Sequence, residues 1–177
     1  MMIKRYFCLA IVGLILLGCK PEAELPPTPQ LKTVTLTNSI KIARGQTVYV
    51  PVYSHIYSIS RSQKMDLSVT LSVRNTDQSH PMIITSVFYH DTNGKLIRKY
   101  LEQPVELRPL ASTYFFVDQA DTGGGAGASF LVEWVAQQKV TDPVIETVMI
   151  NTMGNQGISF VSEGRVIKRR EASTSSK

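Results

Sequence analysis

His80, Met82 and His90 carry the donor types of a metal site: imidazole and thioether together favour Cu(I), and His55, Met149 and Met153 offer the same atoms elsewhere. Between Asp118 and Gly127 the run DQADTGGGAG sets two carboxylates beside bare backbone. Such loops cradle anions through their N–H groups, and paired aspartates add oxygen ligands for calcium. The candidate ligand loop is therefore Asp118, Asp121, Gly123, Gly124 and Gly125, and the candidate metal set is His80, Met82 and His90. Each has a plainer counterpart. A phosphate loop would end in Gly-Lys-Ser/Thr and open a helix, whereas Ala128-Ser129-Phe130 opens a strand. The triplet Asp121-Thr122-Gly123 matches an aspartic-protease carboxylate, but that chemistry needs two aspartates sharing a proton, and the flanks here are polar. Dense EF-hand spacing is missing, and Met149 sits in an apolar stretch where methionine fills core gaps. No Gly-x-Ser-x-Gly elbow occurs, and Glu102, Glu106, Glu133 and Glu146 form no pair recognisable from spacing. Glu133 is expected to point away from Trp134, on the opposite face of a strand.

Cys19 offers a different chemistry. It follows a basic start at Lys4 and Arg5, an apolar run from Tyr6 to Leu17, and the box Leu16-Leu17-Gly18-Cys19, the three-part plan of a secretory signal. A helix from Tyr6 to Cys19 would span roughly 21 Å at about 1.5 Å per residue, short of the ~30 Å hydrocarbon core. Lys20, Pro21 and Glu22 then stop it. The box resembles the bacterial lipobox, whose cysteine is acylated and becomes the first residue of the mature protein. The expectation is a covalent diacylglycerol/acyl lipid on Cys19 and no other cofactor; an uncleaved anchor helix and an ordinary cleaved signal are the alternatives. The only other cysteine, Cys8, lies in the apolar run and would leave with the signal. The mature domain then has neither thiol nor disulfide, which excludes cysteine-ligated zinc and iron–sulfur centres.

The formal charge of +5 is unevenly placed. Lys4 and Arg5 belong to the signal, and Arg165, Lys168, Arg169, Arg170 and Lys177 to the last thirteen residues, so the stretch between is close to neutral. This argues against nucleic acid as a partner. Arg165, Lys168, Arg169 and Arg170 are instead a candidate contact with an anionic surface.

The elements that must position these residues read as strands. Leu67, Val69, Leu71 and Val73 alternate with Ser68, Thr70, Ser72 and Arg74, giving one apolar and one polar face. Thr47–Tyr57 sets Val48, Val50 and Val52 on one face, and Pro51, which has no N–H, predicts an edge or bulged strand. Met82–His90 and Lys95–Leu101 flank Asn93-Gly94, a pair suited to a tight hairpin turn. Further strands are expected at Ser112–Val117, Ala128–Gln137, Val144–Asn151 and Ile158–Ser162, separated by proline and glycine. About seven to nine strands without helical crossovers predict an all-β fold, an antiparallel β-sandwich. Four segments follow: a signal peptide over 1–18, a proline-rich tether over 19–35, the sandwich over 36–164, and a basic disordered tail over 165–177.

Val73-Arg74-Asn75-Thr76, then Tyr89-His90-Asp91 with Asn93-Gly94-Lys95, then Leu110-Ala111-Ser112, look like the core of immunoglobulin-like modules in secreted bacterial proteins. A wider likeness is carried by Ser112–Val117, the glycine loop with Ser129–Trp134, Val148-Met149-Ile150 and Gln156–Arg165. In these the chain resembles the DUF3124-like family of uncharacterised bacterial, often cyanobacterial, lipoproteins, a resemblance that implies no activity. The expected function is that of a lipid-anchored cell-envelope protein facing the periplasm or exterior, a non-catalytic binding or scaffolding module. Its expected partners are the membrane, through the lipid, and an envelope protein or glycan. The alternatives are a small-ligand or metal-ion (calcium or copper) binding protein and, as a third class, an envelope hydrolase.

Overall fold

The computed structural model describes residues 31–37, 41–154 and 157–171. Among them the chain forms strands and no helix: β1 (Lys32–Thr33), β2 (Arg44–Val52), β3 (His55–Tyr57), β4 (Lys64–Asp66), β5 (Ser68–Arg74), β6 (Met82–His90), β7 (Leu96–Lys99), β8 (Val105–Leu107), β9 (Ser112–Val117), β10 (Ala128–Ala136), β11 (Val144–Asn151), β12 (Ile158–Glu163) and β13 (Arg165–Glu171). All their pairings are antiparallel. The larger sheet runs β1-β8-β6-β10-β2-β13, with β7 added on β6; the smaller runs β12-β11-β5-β9; β3 and β4 make a separate hairpin. The all-β, antiparallel expectation holds. Within it β5 pairs β9 and β11, while β10 pairs β6 and β2.

One apolar core lies between the sheets. Val48, Val50 and Val52 of β2 and Phe130, Val132 and Trp134 of β10 meet Val69, Leu71 and Val73 of β5 and Val117, Ile145 and Met149 of the smaller sheet's neighbouring strands. The alternation in β5 is complete, since Leu67, Val69, Leu71 and Val73 are all 0% exposed. Burying each such side chain contributes about 1.5–3 kcal/mol. The hairpin between β6 and β7 turns at Gly94, whose φ of 78° lies in the left-handed region that glycine tolerates. Asp91 Oδ1 accepts the N–H groups of Asn93 and Lys95, each at 2.8 Å, and so fixes that turn.

Three expectations are corrected. Arg165–Glu171 is not tail but strand β13, paired along β2 from Arg165 opposite Tyr49 to Glu171 opposite Arg44; residues 172–177 lie outside the described ones. Ordered structure also starts inside the stretch read as tether, because β1 pairs β8 through Lys32 and Glu106. Strand β2 is internal rather than an edge, flanked by β10 and β13, and ends at Val52. Pro51 sits beyond the last β13 pairing, at Tyr49, so its missing N–H breaks no bond there, and its carbonyl accepts the Thr147 hydroxyl at 3.1 Å. The chain crosses from one sheet to the other at Gly164, where a Cβ would lie 2.6 Å from Val48 Cγ1 and 2.7 Å from the Ile145 carbonyl oxygen.

Candidate functional site

The glycine loop is used up in holding the fold. Asp118 Oδ1 accepts the Ala120 N–H at 2.9 Å and closes its own turn. Asp121 Oδ2 meets Arg98 Nη2 at 2.7 Å, tying the loop to β7. The same guanidinium donates to the Tyr100 hydroxyl at 3.1 Å, the contact that does most to raise its own pKa. Gly125 N–H donates to Ser54 Oγ at 2.8 Å and Gly127 N–H to Thr92 Oγ1 at 3.0 Å, while the Gly124 carbonyl accepts the Thr92 N–H at 2.9 Å. Gly123 N–H faces Asp121 Oδ1 at 3.4 Å. Gly124 lies on the Tyr89 hydroxyl so closely that a Cβ would collide with it. Burial, with the Asp121 charge nearby, pushes that hydroxyl up to about 12. The backbone that looked like an anion cradle is therefore a plug between β6, β7 and the turn at Ser54.

The structure separates the candidate metal set. Met82 opens β6, is 1% exposed and belongs to the core, whereas His90 closes the same strand, roughly 26 Å away at about 3.3 Å per residue. His80 precedes the strand with Nδ1 3.3 Å from Asp77 Oδ1, and it borders a cavity of about 240 Å³ with Glu106, Gln137 and Gln138. His55 is buried with its ring edge-on to Tyr57, and Met149 is core. Among the described residues no three His, Cys, Asp or Glu side chains gather at one point. Cys19 lies outside the described residues.

The arrangement that does converge is on the outer face of the larger sheet. Ser86, Glu133, Thr47 and Lys168 stand side by side on β6, β10, β2 and β13. Two bulges set this row. In β6 the register shifts at Glu133/Trp134, leaving Thr85 as the extra residue and bringing Ser86 opposite Glu133. In β13 it shifts between Val166 and Lys168, so Lys168 rather than Ile167 stands opposite Thr47. A one-residue slip inverts the faces of a strand, and bulges re-aim side chains in this way. Glu133 is half-buried and held from both sides: Ser86 Oγ donates to Oε2 at 3.1 Å and Thr47 Oγ1 to Oε1 at 3.4 Å.

In the next row Gly45 separates Val135 from Arg170, and a Cβ there would lie 2.8 Å from the Trp134 carbonyl oxygen and 3.0 Å from Val135 Cγ1. Above the two rows is a cavity of about 260 Å³, lined by Leu36 and Ile42 as well as by Lys168 and Arg170. Among the described residues neither of these cations has an acidic partner. The four basic residues expected to act together are thus divided. Arg165, Lys168 and Arg170 stand opposite Tyr49, Thr47 and Gly45, while Arg169 stands opposite Gln46 and reaches Asp142 at 3.5 Å, a carboxylate that Arg44 also holds at 2.6 Å. Glu133 was expected to face away from Trp134 and does, but its partners Thr47 and Ser86 and the bulges that align them carry no signal in composition or periodicity.

No curated protein sequence matches the chain. A solved structure described as "Crystal Structure of Thermotoga maritima 1070" is similar at 15% identity and a TM-score of 0.43, over 68% of this chain and 92% of that one. Residues 45–167, from the glycine of the groove floor into β13, match the family model described as "Protein of unknown function (DUF3124)", and the chain belongs to that family.

Proposed function

We propose that this protein is a lipid-anchored, non-catalytic binding module of the cell envelope, which takes a small ligand on the outer face of its larger sheet. The observation that carries the binding half is the Ser86–Glu133–Thr47–Lys168 row under a cavity of about 260 Å³. A fixed carboxylate beside unpaired cations on rigid strands is a means of recognition. Asp77, Tyr89, Arg98 and Tyr100, whose protonation the fold displaces, are taken up in turns, burial and the Arg98–Asp121 contact. The anchoring half rests on the order of basic start, apolar run and lipobox ending at Cys19.

The anchor is tested in cells fed labelled fatty acid, and the non-catalytic reading by turnover assays on the purified protein. Cys19→Ser is expected to lose the label and to leave the membrane fraction. A variant that still takes up label would overturn the anchor. Turnover of an ester, peptide or glycoside that disappears in Glu133→Gln would overturn the non-catalytic reading.

A further inference from the structure

We infer that the groove beside Glu133 binds a small organic anion that also carries hydroxyl or amino donors, a class represented by sugar acids and ω-amino acids. This rests on the binding half of the reading above. The two charges of the groove decide the class. Glu133 accepts one hydroxyl on each oxygen, and a carboxylate has about four lone-pair sites, so roughly two remain for donors from a ligand. Its rotamer is set before anything binds, which removes an ordering cost from association. An inorganic anion would meet this negative charge, and a divalent cation would meet Lys168 and Arg170, which have no acidic partners among the described residues. A neutral polyol would satisfy Glu133 and leave both cations unused. A molecule with an anionic end and donors at the other satisfies all three side chains through charge-assisted bonds.

Distance narrows the class. Strands β10 and β13 are separated by β2 alone, so the backbones that carry Glu133 and Lys168 are two inter-strand spacings apart, roughly 9–10 Å. Side chains stand roughly perpendicular to a sheet, so their tips keep about that spacing, and a chain of about six heavy atoms lying across them reaches both through hydrogen bonds of about 2.8 Å. The cavity of about 260 Å³ falls below the ~300–1,000 Å³ of pockets for drug-sized ligands, and Leu36, Ile42 and Val135 give it apolar walls for a carbon backbone. Gly45 keeps the floor open between Val135 and Arg170.

The test uses the full chain in detergent micelles, titrated calorimetrically with four probes of similar length. D-gluconate and 6-aminohexanoate carry both an anionic end and donors; hexanoate lacks the donors and D-sorbitol lacks the anion. At least one of the first two is expected to bind about tenfold or more tightly than both of the last two. The double variant Lys168→Gln, Arg170→Gln, confined to exposed side chains, is expected to abolish that preference, and Glu133→Gln to bring the favoured probe down to the level of hexanoate. Circular dichroism of each variant confirms that the fold is kept. The proposal is overturned by equal affinity for all four probes, by no saturable binding of any, or by a preference that survives the double variant. Membrane anchoring without probe binding overturns the ligand class alone, and probe preference without acylation overturns the anchor alone.

Discussion

Asp77 shows how one side chain organises an end of the sandwich. Its Oδ1 accepts the N–H groups of Ser79 and His80 at 2.9 and 2.8 Å, and its Oδ2 accepts that of Thr141 at 3.0 Å, joining the turn before β6 to the turn before β11. Asn75 stands behind it, accepting the Asp77 N–H on Oδ1 at 3.0 Å and donating to the carbonyls of His80, Leu107 and Arg108. Backbone donors favour the charged carboxylate, led by Ser79, and hold Asp77 down to about 2 from the ordinary 3.8. The unfolded chain therefore binds the proton first as pH falls. The stabilisation is complete above the ordinary value and is lost as pH drops through the folded one. Asp77→Asn lacks this contribution at every pH. Urea midpoints followed by the fluorescence of Trp134, the single tryptophan, are expected to place the variant below wild type at pH 7 and to converge with it near pH 2. A gap of constant size across that range would refute the assignment.

At the scale of elements, β13 protects β2. All seven of its residues are exposed, so backbone pairing to β2, not side-chain burial, holds it in place. Its cations make it a poor template for further pairing, a usual means of blunting an edge. Removing residues 165–177 would leave β2, with its apolar VYVPV run, as a bare edge. The truncated chain is expected to melt lower than wild type and to aggregate in a concentration-dependent way by light scattering, while one that stayed monomeric at wild-type stability would deny β13 this role. The same strand marks the limit of what the sequence discloses. β5, β9 and β11 are legible because each sets one face in the core and one outside, a period that burial imposes on residue choice. RVIKRRE has no buried face and so no such period. The groove escapes for a related reason: its row exists only once Thr85 and Ile167 are inserted as bulges, and a bulge alters pairing without altering composition. The glycine loop, conspicuous in sequence, owes its composition to contact with Tyr89 and Thr92.

For the molecule as a whole, the two sheets share one core and Gly164 links their edge strands, so neither sheet has an apolar interior of its own. Leu71 is 0% exposed at the middle of β5, and its inner neighbours come from both sheets' buried faces. Leu71→Ala deletes buried carbon and leaves a cavity, a change that costs about 2–5 kcal/mol in well-packed cores. Because the core is common, that loss is expected to reach the opposite sheet. Trp134 of β10 reports on the larger sheet, and far-ultraviolet circular dichroism reports on both. Their unfolding midpoints are expected to coincide in wild type and to move down together in Leu71→Ala; a dichroism transition that precedes the Trp134 transition would mean that the smaller sheet unfolds alone. Cys8 and Cys19, the only cysteines, both precede Leu31, so no disulfide reinforces the described strands and both curves should be unmoved by dithiothreitol. Packing between the sheets then has to supply what cross-links supply in disulfide-rich domains, and the response to a single leucine measures how far it does so.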